Sequence, residues 1–405
     1  MEGKQNLPAG WRWVKLGEVC NYSQYGLTVS ELHSDDGYPL IRITDIDDLG
    51  NLKLEDIKCA QLDDTTFKRY ELRDGDILFA RTGSLGRTFL YSGNPSEAVF
   101  ASYLIRFSLN KSIIEPLYLF YYTHSKEYFE FIEEKKHTVS QPNINAEEYK
   151  SLLIPLPPLF EQKRIAAKLK EMMNEIDNAR LACEKQLEAA KALPSAYLRE
   201  VFESPEARSW PKKKLGEVCE KIVGGGTPSR GRLEYWGDYI YWLSPSELEE
   251  DKLNYVFQTK EKISEEGSRN SNAKIIPPKS VLLSCTASVG KVAINIVPLT
   301  TNQQFNSFVL KNQMAVPEFI GYYLIYKKEE IKRLGGKTTF TFISKNEISN
   351  ILIPLPPLSE QKRIAEYLKE KITQAEKLQA AIEKELETIN SLPQSILSKA
   401  FRGEL

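Results

Sequence analysis

Ile154-Pro-Leu-Pro-Pro-Leu-Phe-Glu-Gln-Lys-Arg-Ile-Ala166 is written a second time, with one residue changed, as Ile353-Pro-Leu-Pro-Pro-Leu-Ser-Glu-Gln-Lys-Arg-Ile-Ala365. At this offset of 199 residues, 24 of the 49 positions between Ile154–Phe202 and Ile353–Phe401 are identical. Lys15-Leu-Gly-Glu-Val-Cys20 returns as Lys214-Leu-Gly-Glu-Val-Cys219 at the same offset. One phase therefore runs through nearly the whole chain. It reads as two copies of one unit, not as a short-period solenoid.

Each proline pair suits a helix entry, because proline fixes φ and lacks the N–H that a first turn leaves unpaired. Glu161 and Glu360 add negative charge where the helix dipole favours it. Apolar residues then follow at spacings of four and three: Ile165, Leu169, Ile176, Cys183 and Leu187 in the first copy, and Ile364, Leu368, Leu378, Ile382 and Leu386 in the second. A stripe of this kind wants a partner helix. An ordinary helix pair inside a core satisfies that, but two copies so far apart name each other as partners. Pro194 and Pro393 are expected to interrupt the helices at the same phase. From about 159 to 192 the first helix would run roughly 50 Å at about 1.5 Å per residue.

A chain of 405 residues, 41% hydrophobic and 27% charged, fits a soluble protein of two or more domains. No apolar run is long enough to span a bilayer, and the first residues lack a signal-peptide core. Five single cysteines argue for reduced thiols and a cytoplasmic location, not for a disulfide frame or a zinc site. The net charge of −1 conceals an asymmetry. Residues 1–155 carry 17 Lys and Arg against 23 Asp and Glu, whereas residues 211–355 carry 20 against 15. A polyanion binder usually shows a basic surplus, which only the second segment has.

Between the repeated helices the pattern changes to short β-type runs, such as Tyr38–Ile43, Asp74–Ala80 and Val99–Phe107, followed by a Tyr- and Phe-rich helical stretch. The second copy keeps this plan with little identity. A shared frame carrying two different readers is the simplest account.

Two turns follow matching strands, Arg81-Thr-Gly-Ser-Leu-Gly-Arg87 and Cys285-Thr-Ala-Ser-Val-Gly-Lys291. Small residues, hydroxyls and a terminal cation suit phosphate oxygens, so Arg81, Thr82, Ser84 and Arg87, with Ser284, Thr286, Ser288 and Lys291, are candidates. A plain tight turn needs the same small residues. The loop Gly224-Gly-Gly-Thr-Pro-Ser-Arg230 offers Gly225, Gly226, Thr227, Ser229 and Arg230, and its counterpart offers Gln24, Tyr25 and Thr28; a mobile surface loop is the competing reading. Gln141, Asn143, Asn302, Gln303 and Gln304 carry amides able to pair with adenine, while Arg42, Arg81 and Arg230 could pair with guanine. Lys337 lies in a basic loop that lacks the glycine spacing of a phosphate-binding loop. No nucleophile–base pair, paired acid, metal-ligand cluster or dinucleotide fingerprint is present in the sequence.

The doubled Pro-Leu-Pro-Pro-Leu-x-Glu-Gln-Lys-Arg-Ile entry and the two lobes headed by Lys-Leu-Gly-Glu-Val resemble the specificity subunit of type I restriction–modification systems. The resemblance covers the whole chain. It implies an α+β protein with target recognition domains at residues 1–155 and 205–354, separated by conserved helices at 156–204 and 355–405 that pack antiparallel with pseudo-twofold internal symmetry. Each lobe would read one half of a split, asymmetric site in duplex DNA. The helix pair would set half-site spacing and dock two methyltransferase subunits, with restriction subunits joining through them. Adenine N6 methylation from S-adenosylmethionine would belong to the partner, and this chain has no Asn-Pro-Pro-Tyr or Asp-Pro-Pro-Tyr box. The competing readings are a self-contained DNA methyltransferase or restriction fusion, and a scaffold that binds proteins instead of DNA.

Overall fold

A computed structural model describes residues 7–29, 32, 36–136, 142–335 and 343–405, and the chain divides into two compact units. The first comprises Met1–Glu184 with Lys384–Leu405, the second Lys185–Glu383. Neither division falls between a lobe and the helix that follows it: each unit takes in part of both long helices.

The two lobes share one plan. In the first, the main sheet runs Cys20–Tyr25, Leu104–Leu109, Ile77–Ala80, Thr88–Leu90, all antiparallel. In the second, Cys219–Gly224, Phe305–Leu310, Val281–Ser284 and Val292–Asn295 repeat the order, and Leu253–Val256 adds a parallel edge strand. Ile77–Ala80 and Val281–Ser284 are buried at every position, as expected of central strands covered on both faces. The leading strands slip register at the same place, between Cys20 and Tyr22 and between Cys219 and Lys221. A bulge that recurs at equivalent residues is a retained feature of the unit.

Each lobe is closed by its own ends. Arg12–Lys15 pairs antiparallel with Leu153–Leu156, and Lys212–Lys214 with Leu352–Pro354. The Leu-Gly-Glu-Val that follows is a short 3-10 turn whose Leu16 and Val19, like Leu215 and Val218, are buried.

The glutamine of the repeated motif fixes the helix entry to the lobe. Gln162 is buried; its Nε2 donates to the carbonyls of Ile113 (3.0 Å) and Pro157 (2.8 Å), and its Oε1 accepts from the Glu115 N–H at 2.9 Å. Gln361 does the same with Met314 (3.1 Å), Pro356 (2.9 Å) and the Val316 N–H (2.9 Å). Glu115 and Val316 precede the first turns of the aromatic helices Pro116–Tyr122 and Pro317–Tyr326, so one side chain orients two helices.

The long helices span Leu159–Phe202 and Leu358–Phe401, 44 residues each or about 66 Å at about 1.5 Å per residue. They run through Pro194 and Pro393 without a break, which corrects the expected interruption. A proline in mid-helix frees the carbonyl four residues earlier. For Pro194 that is the Ala190 carbonyl, and Gln379 of the second helix donates its Nε2 to it at 3.0 Å.

The seam also needs one correction. Ile165, Leu169, Ile176 and Cys183 are buried, as are Ile364, Leu368 and Ile382, and Leu187 and Leu386 are half-buried. Leu378 is 46% exposed. From Ala375 to Ile382 the spacings three-then-four and four-then-three are both helical, and the chain takes the second, through Gln379. In the first unit Ile165, Ala166 and Leu169 share a core with Leu397, Ala400 and Phe401; in the second Ile364, Ala365 and Leu368 share one with Leu198 and Phe202. The beginning of one helix thus meets the end of the other within each unit, an antiparallel pairing.

Candidate nucleic-acid interface

Five hydrogen-bonded positions recur in both lobes and define the same stretch of surface. The Gly26 N–H donates to the Leu104 carbonyl (3.0 Å), and the Gly225 N–H to the Phe305 carbonyl (3.2 Å). The Arg81 N–H meets the Tyr103 carbonyl at 2.9 Å; the Cys285 N–H meets that of Gln304 at 2.7 Å. Ile144 donates to the Arg81 carbonyl (2.9 Å), and Ile343 to that of Cys285 (3.0 Å). The backbone frame is common, and the side chains it displays are not.

The glycine loop is pinned. A Cβ on Gly225 would stand 1.8 Å from the Asn302 carbonyl oxygen, and one on Gly26 would stand 2.1 Å from that of Ala101. Glycine is there because two backbones cross, so the reading as a mobile loop gives way. In the second lobe this brings together Gly225, Gly226, Thr227, Thr286, Asn302, Gln303 and Gln304. The Thr227 hydroxyl bonds the Gln303 side chain. Asn302 donates to Gln304 Oε1 at 2.8 Å and accepts from its backbone N–H at 3.0 Å, while Gln304 Nε2 reaches the Thr286 carbonyl at 3.4 Å. Arg230 lies over Trp236, its carbon 3.8 Å from the ring centroid, but Glu261 holds both terminal nitrogens. Ser229 supplies its carbonyl to the Trp236 Nε1–H at 3.2 Å.

In the first lobe the frame gathers Tyr25, Arg81, Thr82 and Asn143. Arg81 stacks on Tyr25 at 4.8 Å and donates Nε–H to Asn143 Oδ1 at 3.4 Å; Thr82 bridges Asn143 along the backbone. Thr28 is exposed at the end of its loop. Gln24 is drawn inward: its Oε1 accepts from buried Arg106, and its Nε2 donates to the Arg69 carbonyl at 3.2 Å. Arg42 makes a two-pronged pair with buried Asp45 and bonds the Asp56 carbonyl at 3.0 Å, so it holds the fold together instead of facing a base. Gln141 and Lys337 lie outside the described residues.

The phosphate contact expected of the paired turns is not what their geometry provides. Lys291 Nζ donates to the carbonyls of Pro245 (3.0 Å) and Leu248 (2.8 Å). Arg87 likewise bonds the Ile46 carbonyl at 3.0 Å and Asp48 at 2.7 Å. Buried Ser284 accepts the Lys291 N–H at 2.9 Å and bonds the Ser288 carbonyl, while Ser84 accepts the Arg87 N–H at 3.3 Å through its carbonyl. Gly83 and Ala287 both take positive φ, 75° and 60°, as the same turn requires. Both cations are clamps between the turn and a neighbouring loop. Lys291→Ala is expected to cost about 2 kcal/mol of stability through the stranded carbonyls while leaving the salt slope of DNA binding unchanged; a slope lowered by about one would restore the phosphate contact.

Two features escaped sequence reading. Tyr103 is 58% exposed at the position whose counterpart is Gln304, hidden because it sits in an apolar run that reads as unbroken strand. Arg106, on the strand Leu104–Leu109 of the main sheet, is buried with Asp76, where an arginine has no sequence signature. Among the cysteines, burial pushes Cys20 and Cys219 up to about 12 and Cys285 to about 11, so these thiols stay protonated and are not nucleophiles. Among the described residues no cluster of three or more His, Cys, Asp or Glu is placed to hold a metal, and no helix is long and apolar enough to cross a membrane.

The family described as Type I restriction modification DNA specificity domain matches twice, over residues 8–189 and 207–388, and the chain belongs to it. The MjaX specificity subunit of Methanocaldococcus jannaschii is 30% identical over 388 residues, covering 90% of this chain and 87% of that protein. The MjaVIII specificity subunit of the same organism is 24% identical over 436 residues, covering 98% and 94%. Among solved structures, the HsdS subunit from Thermoanaerobacter tengcongensis matches with a TM-score of 0.68 at 26% identity, all of both chains being covered. A chain from work on complex assembly and conformational transition of the type I R-M system matches with a TM-score of 0.76 at 27% identity, covering 99% of this chain and 100% of that one. The protein is a non-catalytic specificity subunit, and its role is DNA sequence recognition.

Proposed function

We propose that each lobe reads one half of a bipartite, asymmetric site in duplex DNA, and that the two long helices set the spacing between the halves. The observation that carries this reading is the common backbone frame displaying unlike side chains: Arg81 against Cys285, Tyr103 against Gln304. Two readers of one design fit two different half-sites. The same duplication offers two similar surfaces, which suits two methyltransferase subunits supplying adenine N6 methylation with their own S-adenosylmethionine, and restriction subunits joining through them. The relative solved in work on type I complex assembly supports a multisubunit setting.

The ruler is tested by inserting four residues after Ala179. Four residues extend a helix by about 6 Å at about 1.5 Å per residue. At about 3.4 Å per base step the tolerated gap should lengthen by about two base pairs. Methylated-site mapping with an unchanged gap would remove the helices from that role.

A further inference from the structure

We propose that Arg81 reads a guanine in the half-site bound by the first lobe. The proposal deepens the reading of that lobe as a DNA reader and rests on it.

The first lobe is acidic in sum, and its other candidate cations are engaged. Arg42 is taken by Asp45 and the Asp56 carbonyl, and Arg87 by Asp48 and the Ile46 carbonyl. Arg106 is buried on Asp76 and the Glu71 carbonyl. Arg81 differs. Only its Nε is used, on Asn143, and its terminal Nη1 and Nη2 have no partner among the described residues.

Its position is also unusually fixed for a surface arginine. Its N–H is bonded to the Tyr103 carbonyl and its carbonyl to the Ile144 N–H. The guanidinium lies on the Tyr25 ring, and that ring is held in turn by its hydroxyl, which accepts the Ala146 N–H at 3.1 Å. The backbone of Arg81 is thus held by two segments, and its side chain by the Tyr25 ring and Asn143. A side chain ordered before binding loses less freedom on binding.

What remains is a pair of terminal donors, Nη1 and Nη2, with no acceptor among the described residues. In the major groove only guanine offers two adjacent acceptors, O6 and N7; adenine pairs an acceptor with a donor, and thymine has a single acceptor beside a methyl group. A phosphate could also take two guanidinium N–H groups, but a phosphate contact carries no sequence information. Among the described residues the second lobe shows no equivalent at this position, where Cys285 stands, and Glu261 occupies the fork of Arg230.

The test first assigns the halves. Methylated-adenine mapping with the intact system, before and after exchange of residues 210–354, identifies the first lobe's half-site as the half that stays constant. Duplexes carrying 7-deazaguanine at each guanine of that half in turn are then bound to wild type, Arg81→Ala and Arg81→Lys. Wild type should lose about 5-fold or somewhat more at one guanine, because 7-deazaguanine removes N7 but keeps O6. Replacing that G·C pair by A·T should cost the full discrimination of a bidentate pair, about 5- to 150-fold. Arg81→Ala should lose nothing further there while still requiring its second half-site, which also reports that it is folded. Arg81→Lys keeps the charge and should retain only part of the discrimination. The proposal is overturned if that half contains no fixed guanine, if no single substitution weakens wild-type binding, or if Arg81→Ala weakens every sequence equally with a salt slope lower by about one. If lobe exchange leaves both halves unchanged, the underlying reading of the lobes fails instead.

Discussion

Phe401→Ala should destabilise the first unit by about 3–5 kcal/mol, the usual cost of emptying a buried aromatic site. Phe401 is 4% exposed at the end of the second long helix, with Tyr118 and Tyr122 edge-on at 5.3 and 5.1 Å. Its neighbours on the helix, Leu397 and Ala400, lie in the same core as Ile165 and Leu169. The site is thus where the last turns of the chain complete a core begun at its front. The counterpart is Phe202, at 5.6 Å from Phe319 and 5.1 Å from Tyr323 in the second unit. Hydrogen exchange over Pro116–Tyr122 during denaturant titration reads the first unit directly, where a whole-chain curve would merge two transitions. Phe401→Leu, which keeps most of the volume, should cost about 1 kcal/mol. A Phe401→Ala protein with unchanged protection in this helix would mean that the helix end is not part of the first unit's core.

Gln162→Leu is expected to cost a similar amount for a different reason. The substitution keeps the volume but strands the Glu115 N–H and the carbonyls of Ile113 and Pro157. At about 1–3 kcal/mol for each unpaired buried group, the loss should reach about 3–5 kcal/mol. Gln162→Glu separates hydrogen bonding from packing. A protonated carboxyl can still accept from Glu115 and donate to one carbonyl, whereas the ionised form faces two carbonyl oxygens. Its folded-state pKa should therefore lie above the unfolded one, with stability greatest at low pH and falling as pH rises through the folded value. A pH-independent Gln162→Glu protein, or a neutral Gln162→Leu, would show that this glutamine is not the lock. Gln361 makes the same contacts and should behave likewise.

Much of this architecture is legible in the sequence because duplication doubles every signal. Repetition places the proline entries, the heptad-like stripe and the Leu-Gly-Glu-Val heads, which propensity alone does not do. The failures have physical causes. Leu378 and Gln379 are both at helical spacing, and a pattern of apolar residues prefers the leucine even though the seam holds the amide. Pro194 reads as a stop because sequence cannot show that Gln379 receives the freed carbonyl. Gln162 and Gln361 look like surface residues in a charged motif and are in fact buried.

The candidate interface was less legible. Which loops converge could be inferred from the glycines and the turns. Which cations are free could not, because Arg42, Arg81, Arg87 and Arg230 are alike in composition and differ only in the carboxylates and carbonyls that folding brings beside them. Once those partners are counted, the acidic balance of the first lobe is less of an obstacle: several of its carboxylates are turned on its own arginines, and the terminal nitrogens of Arg81 have no partner among the described residues.

The most direct test of the central claim is the map of methylated adenines in cells carrying the intact system, repeated with residues 210–354 exchanged for those of a relative. The account predicts two fixed half-sites separated by an unread gap of constant length, with only one half altered by the exchange. A single contiguous site, or an exchange that alters both halves, would contradict it.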